Sequence, residues 1–225
     1  MEIAPGIHKI DGVRGANCYL AKTPDGIVLI DSGMPGNAKR IMTYVQGSAD
    51  AGAELRYVIF THADVDHVGS AAKLKELTGA QLAVHAKDAA ILAGQSRFKT
   101  IKGPIGVMVK LFGWLIRFQP VKPDIIFEGD SGVGGLKIIS TPGHTQGSIC
   151  VYLPGKVIFV GDALRSDANG NPKPPSRRLS ADPSQALASL HSISNLEFDI
   201  LLPGHGAPVV GNASTKLKNL VATLD

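Results

Sequence analysis

The chain has 225 residues, of which 44% are hydrophobic and 19% are charged, and this composition excludes a disordered protein. Its length suits a single domain that buries enough surface to fold without disulfide bonds. The two cysteines, Cys18 and Cys150, lie in apolar runs, which indicates buried thiols in a reducing compartment. Neither a signal peptide nor an apolar run near the ~20 residues that span a bilayer is predicted, so we expect a cytoplasmic protein.

The formal net charge is +4, but the positive charge is concentrated in one part of the chain. Residues 89–123 hold six Lys or Arg side chains and no acidic side chain, so the rest of the chain carries a charge of −2. Because the basicity is local, the sequence does not indicate a nucleic-acid-binding domain.

Helices and strands alternate in the first third of the chain, and strands dominate the middle. The predicted strands are a pair within 17–31 around a Pro-Asp-Gly turn, then 57–62, 81–86, 125–127, 136–141, 149–153, 156–160 and the strand with its exit loop at 198–206. The predicted helices are 36–48, 66–78, 183–196 and 213–224. Gly79 is expected to end the second helix, and Asp182 to cap the third with Pro183 at its first position. This order predicts a layered α/β arrangement with helices outside two sheets.

Four loops that follow apolar strands carry His or Asp beside Gly or another Asp. They are THADVDH (61–67), TPGHT (141–145), GDA (161–163) and PGHG (203–206), and they contain four of the seven histidines. Rigid scaffolds commonly present functional side chains on loops beyond strand ends. Imidazole and carboxylate are natural ligands of a divalent ion such as Zn²⁺, and one carboxylate can bridge two ions. A single His at a strand end would be a weak signal, but the four loops together predict a metal centre.

These loops resemble the signature of the metallo-β-lactamase fold superfamily, in which HxHxDH is followed by Gly-His, a bridging Asp and a late Gly-His. The matching positions are His62, Asp66, His67, His144, Asp162 and His205. The resemblance extends over nearly the whole chain and implies that residues 1–225 form one αββα sandwich, with the metals at one edge of its two sheets. Asp31-Ser32-Gly33 also resembles the early Asp-Ser/Thr-Gly turn of the family, which implies that Asp31 lies behind the metal ligands.

The family pattern divides the ligands between two metal positions that share Asp162. The first position would contain His62, residue 64 and His144, and the second would contain Asp66, His67 and His205. Residue 64 is Asp here, where the family usually has His. Compared with an imidazole, an anionic oxygen ligand favours binding of Mn²⁺ or Fe and makes metal-bound water less acidic. We expect two divalent ions, with zinc favoured over manganese or iron; alternatively Asp64 is too short to bind and the first position is weak or empty.

An apolar and basic insert at about 95–124 has no counterpart in the motif. Its segment 104–118 is apolar all round, so another surface must cover it. A buried cap helix is favoured; a homodimer contact, a lid over the metals and a membrane-surface anchor are alternatives. We expect the insert to supply an apolar wall of the substrate pocket through Trp114. The loop 163–180 carries a net charge of +3, so Arg165 and Arg177 are candidates for binding an anionic substrate, unless this is a solvated surface loop.

The resemblance and the ligand set together predict a metal-dependent hydrolase. A metal-bound hydroxide would attack the carbonyl of an ester, thioester or lactone, with phosphodiesters or β-lactams as further substrates. Asp66 is the candidate catalytic residue, because it can orient the nucleophile or accept its proton. Two alternatives remain: an enzyme like the mononuclear iron persulfide dioxygenases, which a weak first position would permit, and a non-catalytic metal-binding interaction protein. The expected partner is a small molecule.

Overall fold

The structure of the protein is a computed structural model that describes residues 1–48, 54–99, 106 and 117–224. The helices in this part of the chain are α1 (Ala38–Ser48), α2 (Val65–Val68), α3 (Ala71–Thr78), α4 (Ala86–Leu92), α5 (Pro183–Ser194) and α6 (Ala213–Val221). The strands are β1 (Glu2–Ala4), β2 (Ile7–Lys9), β3 (Tyr19–Thr23), β4 (Gly26–Ile30), β5 (Leu55–Ile59), β6 (Gln81–His85), β7 (Ile125–Phe127), β8 (Ser131–Val133), β9 (Leu136–Ser140), β10 (Ile149–Leu153), β11 (Val157–Gly161), β12 (Arg165–Ser166), β13 (Pro172–Lys173), β14 (Ile200–Pro203) and β15 (Val209–Val210).

Two large sheets contain most of these strands. Among the described residues, the first sheet has seven strands in chain order from β1 to β7, and the second has six in the order β15-β14-β11-β10-β9-β8. Strands β4, β5, β6 and β7 run parallel, as do β11 and β14, whereas the other neighbours are antiparallel. The carboxyl ends of parallel strands meet at one edge of a sheet, and this edge carries the loops of the sequence motif.

Alternation along the strands divides the apolar residues among three layers. In β4, Leu29 faces the layer under helices α1 and α3, whereas Ile30 faces the second sheet. In β11, Phe159 faces the first sheet and packs against Tyr19, with ring centroids 5.6 Å apart, whereas Ile158 faces α5 and α6. Burying each such side chain contributes about 1.5–3 kcal/mol. Three apolar layers between four layers of secondary structure give the predicted αββα sandwich.

The predicted helix over 66–78 is wrong in its continuity, because α2 ends before Gly69 and α3 begins at Ala71. A Cβ at Gly69 would lie 2.4 Å from the ring of Pro35, so the chain passes closely over this proline. The Ser70 hydroxyl accepts the N–H of Asn37 at 2.9 Å and donates to the carbonyl of Met34 at 2.8 Å. Contacts distant in sequence therefore interrupt an otherwise helical pattern.

The ends of two helices agree with the prediction, and two other segments differ from it. Gly79 ends α3 in the left-handed conformation, and Asp182 caps α5 through the N–H groups of Ser184 and Gln185. Helix α4 was not predicted. The segment 163–180 is not a plain loop, because it contains the β12–β13 hairpin.

Several predictions about the insert fall on residues that lie outside the described part. They are the helical segment 104–118 apart from Gly106, Arg117 and Phe118, the pocket wall at Trp114, the dimer contact and the membrane-surface anchor. Cys18 and Cys150 are both buried with free thiols, as expected. None of the helices in the described residues is long and apolar enough to cross a membrane.

Candidate metal centre

The fold brings all seven predicted ligands to one edge of the sandwich. The loop after β5 carries His62, Asp64 and the helix α2 with Asp66 and His67, and the loop after β9 carries His144. Asp162 follows β11, and His205 follows its parallel neighbour β14. Because these four loops leave the sheets at the same edge, residues far apart in sequence converge on one small volume.

Three overlapping groups of these side chains have ligand atoms within 4.8 Å of one another. They are His62, Asp64 and His144, here called the first position; Asp66, His67 and His205, here called the second position; and the shared group of His62, His67 and Asp162. The two oxygens of Asp162 face different positions: Oδ2 lies 3.4 Å from Nε2 of His144, and Oδ1 lies 3.5 Å from Nε2 of His67. This arrangement suits a carboxylate shared by two cations.

Unpaired buried atoms show whether a cation fits this cluster. Within the described residues, Nε2 of His62, Nε2 of His67 and Oδ1 of Asp162 are buried and lack a hydrogen-bond partner. Buried polar atoms are normally paired, and leaving one unpaired costs about 1–3 kcal/mol. These three atoms converge on the shared group and are of the ligand types that divalent ions take. The residues therefore fit a divalent metal ion.

Two glycines allow the loops to approach so closely. Gly143 has a φ of 135°, and a Cβ there would lie 2.1 Å from the backbone nitrogen of Ala186 at the start of α5. A Cβ at Gly204 would lie 2.6 Å from Oδ1 of Asp162 and 2.7 Å from Cε1 of His67. A side chain at Gly143 would push the His144 loop away from α5, and one at Gly204 would displace Asp162 or His67.

Asp31 lies directly behind the second position, where the family resemblance implied it. Its carboxylate accepts hydrogen bonds from Nδ1 of His67 and from the backbone N–H and hydroxyl of Thr61, each at 2.8 Å. Bonding at Nδ1 leaves Nε2 of His67 to face the metal cluster. Asp31 has a φ of 61°, a left-handed conformation that costs about 1–3 kcal/mol outside glycine and is typical of functional sites.

The cluster holds its carboxylates in the charged form. Burial alone would raise the pKa of Asp162, but the neighbouring imidazole of His67 outweighs burial and holds this pKa far below the usual range. Burial also opposes ionisation of Asp64, whose pKa is nevertheless well below normal because the imidazoles of His144 and His62 and the ammonium of Lys99 lie beside it. Burial lowers the pKa of His144 to about 4. Burial also opposes the charged form of His67, but Asp31 and Asp162 raise its pKa well above normal, so this ring must release a proton when a metal ion binds.

Lys99 is a site residue that the sequence analysis did not single out. Its Nζ lies 2.6 Å from Oδ2 of Asp64 and donates toward Nε2 of His144. Lys99 belongs to the basic segment noted in the sequence, but no local pattern connects it with His144, 45 residues away. The ammonium group thus stands beside two of the three groups of the first position.

A cavity of about 390 Å³ opens over the cluster and contains one of the three predicted substrate-binding residues. Arg165 lines it together with Lys99, and Ser176 and Leu179 form part of its wall. Arg177 is exposed and is not among the residues described as lining this cavity. The prediction for Trp114 falls outside the described residues. Among the residues described as lining the cavity, the basic ones are therefore the predicted Arg165 and the unpredicted Lys99.

Comparisons with known proteins agree with this architecture. A family model for the metallo-beta-lactamase superfamily matches residues 11–205. YflN, a probable metallo-hydrolase of Bacillus subtilis, is 27% identical over 93% of this chain and 87% of its own length. A hydroxyacylglutathione hydrolase of Brucella ovis is 31% identical over 73% of this chain, and the match spans 51% of that enzyme. The structure of TTHA1623 in a di-iron-bound form has a TM-score of 0.67 and 26% identity, and covers 99% of this chain and 96% of that one.

The chain belongs to the metallo-beta-lactamase superfamily, as its motif implied. Its metallo-hydrolase relatives and its cluster of His and Asp ligands make it a metal-dependent hydrolase.

Proposed function

We propose that the protein is a binuclear hydrolase that cleaves the carbonyl of small anionic esters, thioesters or lactones. The observation that carries this proposal is the shared group, in which Asp162 directs one oxygen toward each of two groups of ligands. His62, Asp64 and His144 would hold one ion, and Asp66, His67 and His205 the other. Bound divalent ions would polarise the substrate carbonyl and lower the pKa of water.

Zinc is the favoured metal, with manganese or iron as alternatives. The imidazole-rich ligand set suits zinc, whereas a carboxylate at Asp64 adds a harder donor that suits manganese or iron. The similarity to TTHA1623, which has a di-iron-bound form, supports a two-metal centre and keeps iron among the candidates.

Asp66 is the proposed proton acceptor and orienting group for the nucleophile. It lies at the cavity, is 31% exposed and contacts Nε2 of His205 at 3.2 Å. Burial would raise its pKa, but the hydrogen bond from His205 and the neighbouring imidazoles lower it. A carboxylate that is ionised at neutral pH, and is partly open to the cavity, can accept a hydrogen bond from an attacking water.

Lys99 and Arg165 would select the anionic part of the substrate. Both line the cavity above the ligand cluster, where opposite charge attracts carboxylate or phosphate groups. Thioesters are favoured within the carbonyl class, because the Brucella ovis relative is named a hydroxyacylglutathione hydrolase. The match spans only 51% of that enzyme, so the proposal takes from it the thioester bond alone. A small molecule is the partner that this function requires, and the cytoplasm is the compartment that we propose.

The first experiment is the metal content of protein purified without chelators or added metal, by elemental mass spectrometry. About two equivalents support the binuclear hydrolase, and protein without tightly bound divalent metal contradicts it. Metal-loaded protein would then be given thioester, ester, lactone and phosphodiester substrates, each as an anionic compound and its neutral analogue. Faster cleavage of the anionic carbonyl compounds supports the proposed substrate class, and cleavage of phosphodiesters alone contradicts it.

An enzyme like the mononuclear iron persulfide dioxygenases is the second candidate. It is favoured by one observation, that each position combines two histidines with one carboxylate, so a protein with only one position filled would have a ligand set that non-haem iron oxygenases also use. One equivalent of iron together with persulfide-dependent oxygen uptake would support it. Two equivalents of metal and no oxygen uptake would exclude it.

A further inference from the structure

Asp88 connects the two loops that form the first position. It lies in α4 and is 1% exposed. Its Oδ2 accepts the backbone N–H of Ala63 at 2.8 Å and the hydroxyl of Thr145 at 2.8 Å. Its Oδ1 accepts the backbone N–H of Gly147 at 3.2 Å. Ala63 stands between His62 and Asp64, and Thr145 follows His144, so a single carboxylate reaches both loops.

The chemistry of this contact requires a carboxylate. All three donors are neutral and point at the two oxygens, which matches a group that only accepts hydrogen bonds. Burying a carboxyl group without partners would be costly, and these three donors offset that cost. The fit is close, because a Cβ at Gly147 would lie 2.5 Å from the carboxyl carbon of Asp88.

We propose that Asp88 is a positioning residue for the first metal position. It acts through the backbone of Ala63 and the side chain of Thr145, and it holds His62 and Asp64 at the distance from His144 that one cation needs. Asp88 positions ligands of the first position as Asp31 positions His67 in the second, but Asp88 does so without contacting a ligand side chain. This inference rests on the proposed function in that the cluster must bind metal.

The test measures metal affinity at each position separately, by competition with a chromophoric chelator. His205→Ala protein retains the complete first position, and His144→Ala protein retains the complete second position. In the His205→Ala background, Asp88→Ala should weaken binding of zinc by about 10–100-fold, the range typical of residues that orient metal ligands. In the His144→Ala background, the same substitution should leave the zinc affinity unchanged within about twofold.

Graded variants separate positioning from a general loss of structure. Asp88→Asn should be intermediate, because its amide oxygen still accepts from Ala63 and Thr145 while its NH₂ group faces the N–H of Gly147. Thr145→Val removes one donor and leaves Asp88 in place, so it should weaken the first position by a few-fold even if Asp88→Ala fails to fold. Asp124→Asn is the matched control: Asp124 also accepts a backbone N–H, from Leu82, but lies away from the cluster.

Each outcome has one meaning. The proposal is supported if zinc affinity falls only at the first position and if the affinity of Asp88→Asn lies between those of wild type and Asp88→Ala. Equal weakening of both positions, together with a lower melting temperature of the metal-free protein, would assign Asp88 a merely structural role and overturn it. Unchanged first-position affinity in Asp88→Asn and Thr145→Val would overturn it as well. Failure of the wild-type protein to bind metal would instead reject the proposed function.

Discussion

The two metal positions use similar ligands but are supported in different ways. In the second position, Nδ1 of His67 donates directly to the buried carboxylate of Asp31. In the first position, Nδ1 of His62 lies 3.1 Å from the Thr61 hydroxyl, whereas Nδ1 of His144 has no hydrogen-bond partner within the described residues. The loop that carries His144 is instead held by Asp88 through the hydroxyl of Thr145 and the N–H of Gly147. The ring of His67 is therefore fixed directly by a carboxylate, whereas His144 is positioned through its loop.

The positions also differ in charge and exposure. His62 and His144 are 1% and 3% exposed, and the carboxylate of the first position, Asp64, pairs with Lys99 at 2.6 Å. In the second position His205 is 38% exposed and pairs with Asp66 at 3.2 Å. A cation that enters the first position must displace an ammonium group from Asp64. We therefore expect the second position to fill first.

Removing the shared carboxylate of Asp162 should lower the metal affinity of both positions and so remove the difference in affinity between them. Asp162→Ala deprives both of a ligand, so zinc affinity should fall at both by more than the 10–100-fold typical of residues behind the ligands. Hydrolysis should fall to the background rate. Chelator competition and elemental mass spectrometry measure the binding. Asp167→Ala, in the hairpin that follows, is the control, and a variant that retains one tight equivalent would contradict the shared role.

The sequence motif identified side chains that the structure brings into one cluster, because each of them lies in a loop after a strand that local hydrophobicity reveals. Asp31 was found through the family resemblance alone. Lys99 and Asp88 were missed because their partners, His144 and Thr145, are 45 and 57 residues away and no local spacing connects them. The break at Gly69 was missed for the same reason, since it depends on packing against Pro35. Local pattern thus predicts helices, strands and candidate ligands, whereas the groups that hold the candidate ligands in place depend on contacts distant in sequence.

Replacing the unusual ligand should make the first position more like a typical site of the family. In Asp64→His, an imidazole replaces an anionic oxygen, so the position should prefer zinc over manganese more strongly. We expect the ratio of the two affinities to rise about tenfold, on the order of 1.4 kcal/mol. Titration of each metal in the His205→Ala background isolates the first position. An unchanged ratio would indicate that residue 64 does not bind the metal.

Removing the ammonium group of Lys99 should reduce the difference in metal affinity between the two positions. In Lys99→Met the entering cation no longer competes with a partner of Asp64, so first-position affinity should rise about fivefold, roughly 1 kcal/mol, comparable to a partly exposed ion pair. The KM for anionic substrates should rise while that for neutral analogues stays constant. Lys122→Met, in the same basic segment, should change neither quantity. If Lys99→Met weakened metal binding instead, Lys99 would support the position rather than compete for it.

The smallest expected effect concerns Asp124, a surface residue outside both metal positions, and tests whether the effects on metal binding are specific to those positions. Asp124 bonds to Nζ of Lys75 at 2.7 Å and to the N–H of Leu82, at the surface and away from both positions. Burial opposes its ionisation, but the hydrogen bonds from Lys75 and Leu82 together outweigh burial and lower its pKa below 3.8. Asp124→Asn should therefore destabilise the protein at neutral pH by less than about 1 kcal/mol, because the ion pair is partly exposed to solvent.

The pH dependence of that effect has a definite sign. A carboxylate whose pKa is lower in the folded than in the unfolded state stabilises the fold above its unfolded pKa. The difference between wild type and Asp124→Asn should thus be complete at neutral pH and disappear as the pH falls below 3.8 through the folded value. Urea unfolding of metal-free protein across this range measures it, with Glu128→Gln as the control for loss of one exposed charge. A difference in unfolding free energy that persisted at the lowest pH would show that Asp124 acts through packing. In a separate titration, Asp124→Asn should leave zinc affinity unchanged; a change would show that surface carboxylates influence the metal positions without contacting them.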